Sequence, residues 1–451
     1  MDVDQPIPPA PEIPVKSRSK NLLKPLVIVF AVSVTLLTAT YFLKAVKPPT
    51  EAIKPPTEPV TASPAAIPKL DDEQASTSAI ATLVNANNQF AFDLYNKYKS
   101  KPENLFFSSY SIQSAFGMVY EGAKGVTSEE IAKVFYLPKD DMSRRASFAK
   151  IYNDINQTNK DFQLTTANAL WAEKTFTFLE SYLKTIEKYY GGKLTNLDFI
   201  GAAEKARVTI NDWVASRTNG KIKDLIPEGI LGIDTKLVLT NAIYFKGDWV
   251  KAFNKDATKE ADFYTSSDTT VKTLLMESRD TSYKYSETSE AQILEMPYTG
   301  DKLSMLVILP TEKSLDNFEK SLSITSLDEW QKDLAETDLD VYLPKFKLQT
   351  KYYMAQDLAE MGMPTSFSDS ADFSGMDGNK DLYISDVIHQ AYVDVYEEGT
   401  EAAAATAVVM KMMGMPTTKP VFKADHPFIF LIKDDTTGNI LFMGRMIDPT
   451  R

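Results

Sequence analysis

Nineteen consecutive residues without a charge, PLVIVFAVSVTLLTATYFL from Pro25 to Leu43, stand apart from everything that follows. At 1.5 Å of rise per residue such a helix covers about 29 Å, close to the ~30 Å hydrocarbon core of a bilayer. The run predicts a single transmembrane helix. Lys16, Arg18, Lys20 and Lys24 precede it and would also suit a cleavable signal peptide. The apolar run is longer than the ~7–15 residues usual there, however, and no clean Ala-x-Ala site follows. The expectation is a signal anchor, single-pass in the cell membrane, with the bulk of the chain extracytoplasmic because basic residues favour the cytoplasmic side. Secretion after cleavage is the alternative.

After this span the pattern loses all periodicity. Residues 44–75 are rich in proline, with KPPTE at Lys47–Glu51 and again at Lys54–Glu58. Dense proline favours extended polyproline geometry, so the stretch from Lys47 to Lys69 reaches up to roughly 70 Å. Residues 1–24 read as a short tail, and 76–451 as one globular domain.

Within that domain, AIATLVNANNQFAFDLYNKY sets Leu83, Phe90 and Leu94 on one helical stripe. SIQSAFGMVYEGAKG (Ser111–Gly125) predicts a second helix ending at glycine, and TSEEIAKVF a third with its N-cap at Thr127 or Ser128. FQLTTANALWAEK and TKLVLTNAIYFKGDW are rich in β-branched and aromatic residues and read as strands. LSMLVILP is uniformly apolar, as a strand buried on both faces would be. Further strands are expected at Asp340–Lys347, Tyr383–Tyr396, Pro427–Lys433 and Ile440–Arg445. Helices crowd the first half and strands the second, an α+β arrangement.

Charge and composition narrow the chemistry. The net charge of −12 argues against nucleic acid as a partner. Zero cysteines exclude disulfides and thiol chemistry. The chain has two histidines, His389 inside a strand and His426 before Pro427, and no motif for a serine nucleophile, a zinc site or a phosphate loop is present. Adjacent carboxylates such as Asp71–Asp72, Glu129–Glu130 and Asp434–Asp435 read as helix starts or turns. The expectation is a protein that is not an enzyme and carries no metal or cofactor.

The most unusual stretch runs from Val393 to Ile432, VDVYEEGTEAAAATAVVMKMMGMPTTKPVFKADHPFIFLI. Alanine and glutamate favour helix, yet no apolar stripe faces a charged one. Read with a period of two, Thr400, Ala402, Ala404, Thr406 and Val408 share one side, all small or β-branched and uncharged. Nothing there forbids burial as a central strand. The segment is built to be a loop at one time and a strand at another.

Here the chain closely resembles the serpins. EEGTEAAAATA matches the hinge of the inhibitory members and FKADHPFIFLI (Phe422–Ile432) the family signature. NLFFSSYSI, TANALWAEK, VLTNAIYFKGDW, LPKFKL, ADFSGM and LFMGRMIDP match further blocks. The resemblance runs from Ala79 onward and implies a serpin fold of three β-sheets and about nine helices, with an exposed reactive-centre loop. It implies a metastable suicide inhibitor of serine proteases, which traps the acyl-enzyme by inserting that loop into the main sheet.

The resemblance also implies residue roles. Glu397, Gly399, Thr400, Glu401, Ala402, Ala403, Ala404 and Ala405 fall in the hinge. Ser108, Ser111, Asn241 and His389 match the shutter, a polar cluster beneath the main sheet. Trp249 matches the breach, where insertion starts, and Lys345 the partner that pins Glu397. Counting seventeen residues from Glu397 places the reactive bond between Met413 and Gly414. A methionine there favours chymotrypsin-, elastase- or subtilisin-like proteases as partners. Met410, Met412 and Met415 leave the register open by a residue, and Lys411 leaves room for a tryptic cut. Ser109 stands where the family usually has proline, which is expected to loosen the helix start. The domain is expected to be monomeric. The competing reading is a non-inhibitory member acting as carrier, chaperone or storage protein, but a hinge without charge or bulk does not favour it.

Overall fold

A computed structural model of the chain describes residues 68–156, 162–266, 268–400 and 419–451. Ten α-helices are found among them: α1 (Thr77–Tyr98), α2 (Ser109–Gly122), α3 (Gly125–Val134), α4 (Asp141–Ile155), α5 (Glu180–Tyr190), α6 (Phe199–Arg217), α7 (Phe318–Ser321), α8 (Ile324–Lys332), α9 (Ala355–Met361) and α10 (Ser374–Asp377). The first seven strands are β1 (Leu105–Phe107), β2 (Phe162–Glu173), β3 (Lys193–Leu197), β4 (Leu237–Asp248), β5 (Lys259–Tyr264), β6 (Thr270–Glu287) and β7 (Ala291–Pro297). The rest are β8 (Leu303–Pro310), β9 (Ala335–Pro344), β10 (Phe346–Tyr353), β11 (Ile384–Tyr396), β12 (Gly399–Thr400), β13 (Val421–Lys423), β14 (Phe428–Asp434) and β15 (Ile440–Met446). No helix among the described residues is long and apolar enough to cross a membrane. The 25–43 span lies outside them.

One six-stranded sheet, ordered β10-β11-β12-β4-β2-β3, runs through the middle of the domain. Both its faces are covered, and the period of two explains how. On β2 and β4, Ala167, Ala169, Trp171, Val238 and Ala242 join Ile388 and Tyr392 of β11 beneath α6, against Phe199, Ile210 and Val214. The alternate residues Leu164, Leu170, Leu239, Ile243, Val393 and Val395 belong to the main core with α2 and the second sheet. Strands buried on both faces carry long apolar runs, and Trp171 satisfies its indole N–H on the Thr240 hydroxyl at 2.7 Å.

The remaining strands form a single nine-stranded network, β1-β15-β14-β8-β7-β6-β9-β13, with β5 added on β6. The three sheets expected from the family are therefore two hydrogen-bonded networks. The cause is β6, whose 18 residues pair with β5 and β9 at one end and with β7 and β9 at the other. A register shift between Ser278 and Thr281, with Asp280 at φ 52°, bends the strand from one layer into the next. All eight residues of β8 are buried, as its apolar run predicts.

Two local expectations are corrected. The run expected as one strand at Asp340–Lys347 is split: β9 ends at Pro344, β10 begins at Phe346, and the two belong to different sheets. Proline lacks the N–H a ladder needs. Nor do Thr127 and Ser128 cap α3, which starts at Gly125. Thr127 instead accepts a hydrogen bond from the Asp372 N–H at 2.9 Å, and Ser128 donates to the Gly125 carbonyl at 2.8 Å. Packing begins ahead of α1, where Leu70 is buried and exchanges two backbone hydrogen bonds with the Asn153 amide.

The C-terminal strand is tied in by one buried cation. Arg445 pairs with Glu319 at 3.0 Å and donates to the carbonyls of Lys99, Lys101 and Glu103. Breaking a buried pair leaves the other charge stranded, at about 3–5 kcal/mol. Arg445→Met is expected to lower native stability by that amount, read as the urea midpoint of the native state.

Candidate functional site

The strands β4 and β11 lie side by side and parallel, from Leu237–Tyr244 on one to Ile384–Tyr392 on the other. Every other contact of these two strands within the sheet is antiparallel. At the top of this seam the two residues of β12 stand between them. Thr400 faces Val395 on one side and Gly247 on the other, and Gly399 faces Tyr396 and Asp248. The close fit requires glycine at 399, because a Cβ there would sit well inside contact distance of the Gly247 carbonyl oxygen. Thr400 is fully buried.

The walls of this opening are aromatic. The Trp249 indole stacks on Tyr298, with centroids 4.5 Å apart and planes at 15°, and its Nε1 donates to the Tyr396 carbonyl at 3.0 Å. Its backbone N–H donates to the Glu398 carbonyl and that of Phe253 to the Glu397 carbonyl, both at 2.8 Å. Tyr298, which no sequence motif singles out, places its hydroxyl 2.8 Å from the Thr400 hydroxyl in a hydrogen bond.

The base of the hinge is held by charge. Lys345, freed by the break between β9 and β10, reaches Glu397 at 2.9 Å, and the Thr258 hydroxyl donates to the same carboxylate at 2.8 Å. Burial alone would raise the Glu397 pKa, but Lys345 and Thr258 outweigh it and hold it below the ordinary carboxylate value. Neither Thr258 nor Tyr298 carries a local motif that could reveal its role.

Further down the seam the four polar residues matched to the shutter come together. His389 and Asn241 face each other across the strands, with the imidazole Nδ1–H donating to the Asn241 Oδ1. The Ser108 backbone N–H donates to the other ring nitrogen, Nε2, at 3.1 Å, which requires that nitrogen to be unprotonated. Asn241 donates to Ser111 Oγ at 2.6 Å and to the Asn168 Oδ1 at 2.5 Å. Ser108 caps α2 through Ser111 N–H and donates to the Leu441 carbonyl. Ser109, which stands where the family usually has proline, donates its hydroxyl to the Ile440 carbonyl at 3.0 Å and ties α2 to β15. A hydrogen bond stands where proline would supply only a fixed φ.

Glu401, Ala402, Ala403, Ala404, Ala405 and the Met413–Gly414 bond lie outside the described residues. The Asn-x-Thr sequence starting at Asn156 offers no free amide, since Asn156 is buried at the end of α4, donating to Tyr152 and accepting from Thr166. Among the described residues no group of carboxylates and histidines is placed to hold a metal ion. His426 is a structural group, bonded to the Pro310 carbonyl at 2.7 Å and to Asp425 at 2.9 Å.

Burial drives the His389 pKa down to about 3. The unfolded imidazole titrates near 6.5, so the unfolded chain gains protons first as pH falls. Stability is therefore full above about pH 6.5 and declines toward pH 3, by ~1.4 kcal/mol per unit. The unfolding free energy from urea titrations is expected to be about 2 kcal/mol higher at pH 7 than at pH 5 from this group, and His389→Gln is expected to remove that part of the difference.

The arrangement matches known proteins throughout. The family profile described as Serpin (serine protease inhibitor) matches residues 85–449. A serpin-like protein of Methanosarcina acetivorans is 42% identical over 372 residues, covering 81% of this chain and 87% of its own. The leukocyte elastase inhibitor of Equus caballus is 41% identical over 380 residues, covering 81% of this chain and 99% of its own. The crystal structure of uncleaved ovalbumin superposes with a TM-score of 0.74 at 32% identity, over 82% of this chain and all of the other. With the hinge, the seam and the polar cluster in place beneath that match, the chain belongs to the serpin family.

Proposed function

We propose that this serpin is a suicide inhibitor of serine proteases with a large apolar primary pocket, chymotrypsin-, elastase- or subtilisin-like. The observation that carries this reading is β12, a strand already begun between two strands that are otherwise paired with each other. In the reaction, the protease serine attacks the carbonyl of Met413, the peptide beginning at Gly414 leaves, and an ester joins loop and enzyme. The freed loop then extends β12 down the seam faster than water cleaves the ester. Each step replaces a parallel ladder with two antiparallel ones, which are more stable per residue.

The register of β12 says where the loop would go. Thr400 lies opposite Gly247 and Val395, so the same alternation carries Ala402 and Ala404 downward and Thr406 between Asn241 and His389. The inward side then holds only small or β-branched uncharged residues. A charge on that side would be buried without a partner, at several kcal/mol. The relationship to a leukocyte elastase inhibitor supports the class of target.

With the full chain and chymotrypsin, a subtilisin and an elastase, an SDS-stable adduct and a released peptide starting at Gly414 are expected. Thr400→Arg is expected to be cleaved at the same bond while forming no adduct. Cleavage of the wild-type chain by all three without adduct would instead place it among substrate-like, non-inhibitory members. We also propose that residues 25–43 anchor the chain, with the domain held outside the membrane on its proline-rich spacer. Alkaline carbonate is expected to leave the full chain in the membrane pellet and to release a variant lacking 25–43. A mature N-terminus beyond Leu43 in the medium would mean secretion instead.

A further inference from the structure

Tyr298 stands directly after β7, in the sheet to which the hinge does not belong. It is fully buried. Its ring is fixed on three sides: stacked on Trp249, edge-on to Phe245 at 5.0 Å and 79°, and close against Gly247, where a Cβ would lie 2.9 Å from the Tyr298 Cδ1. A phenol held this firmly has one place to send its hydroxyl. Among the described residues that hydroxyl is bonded to Thr400 alone. Thr400 is in turn fully buried, and Tyr298 is the partner its own hydroxyl has there.

Two buried hydroxyls that satisfy one another are costly to separate, because each then lacks a partner. Among the described residues the backbone pairing of β12 covers Gly399 and Thr400, and this bond is the side-chain tie that accompanies it at Thr400. It also defines which residue sits there. A slip by one position would turn Gly399 or residue 401 toward the phenol and put the opposite set of loop side chains on the inward side.

We infer that Tyr298 is a positioning residue for loop insertion: its hydroxyl receives Thr400, holds the hinge as a strand already begun and sets the register in which the loop follows. The kinetic part rests on the inhibitory reading, while the seating of the hinge does not. The residue acts by keeping the insertion-competent arrangement populated before the protease arrives. Chemistry at the reactive bond is untouched by it.

The test uses the full chain with Tyr298→Phe, which keeps the ring and its stacking, and Thr400→Val, which keeps the β-branch. Hydrogen exchange of the amides at 399 and 400, measured without protease, is expected to rise about fivefold in either variant, the effect of one neutral hydrogen bond. The double variant should exchange no faster than either single one, with β8 amides unchanged in all. Additive increases, or wild-type exchange in Tyr298→Phe, would overturn the assignment. With protease, Tyr298→Phe is expected to raise the moles of serpin consumed per mole of enzyme inhibited, while the rate of cleavage stays at the wild-type value. If the wild-type chain forms no adduct at all, the inhibitory reading has failed, and the exchange result still decides the role of Tyr298.

Discussion

The parallel pairing of β4 with β11 is the contact on which the rest of the domain is organised. Two strands buried on both faces, each antiparallel to its outer neighbour, meet in the one orientation that leaves room for another strand between them. Parallel ladders are slightly weaker per residue than antiparallel ones. A strand inserted antiparallel to both would therefore exchange one weaker ladder for two stronger ones. That difference is what an insertion reaction can draw on.

Under the proposed insertion, the polar groups along this seam set the geometry that opening has to break. A seam lined only by aliphatic side chains would be held by packing, which the entering strand could replace without any fixed register. His389 and Asn241 instead meet across it inside a network that also fixes the start of α2 and reaches β15. Such networks are satisfied in one geometry only. At the top, Glu397 is neutralised by Lys345 beside a break that Pro344 creates. The hinge thus starts from a buried carboxylate held by the partly exposed Lys345 and passes into a buried hydroxyl pair.

Much of the architecture follows from residues near one another in the chain. The apolar run of β8, the stripe of α1 and the β-branched runs of β2 and β4 each set one element, because burial on one or two faces imposes a period. The same holds for the long small-residue segment after Glu397, whose alternation without charge already implied a loop able to become a strand. Boundaries were harder wherever two readings compete locally. Thr127 and Ser128 look like N-caps, yet tertiary contacts with Asp372 start α3 earlier. The stretch from Asp340 to Lys347 has strand character throughout, and only the different partners of its halves divide it.

By itself, then, the sequence determined the α+β class and the uncharged alternation after Glu397, since these reside in periodicity that neighbouring residues share, whereas the hinge and the polar cluster were expected from the resemblance to the serpins. Only the tertiary structure decided that Thr400 is seated between β4 and β11, that Ser109 replaces a proline by bonding to Ile440, and that Tyr298 and Thr258 serve the hinge. Tyr298 and Thr400 are separated by 102 residues, one directly after β7 of the nine-stranded network and the other in β12 of the six-stranded sheet. No local rule connects a tyrosine after one strand with a threonine in a distant loop. Both are buried and their hydroxyls satisfy one another, and burial is a property of the whole fold.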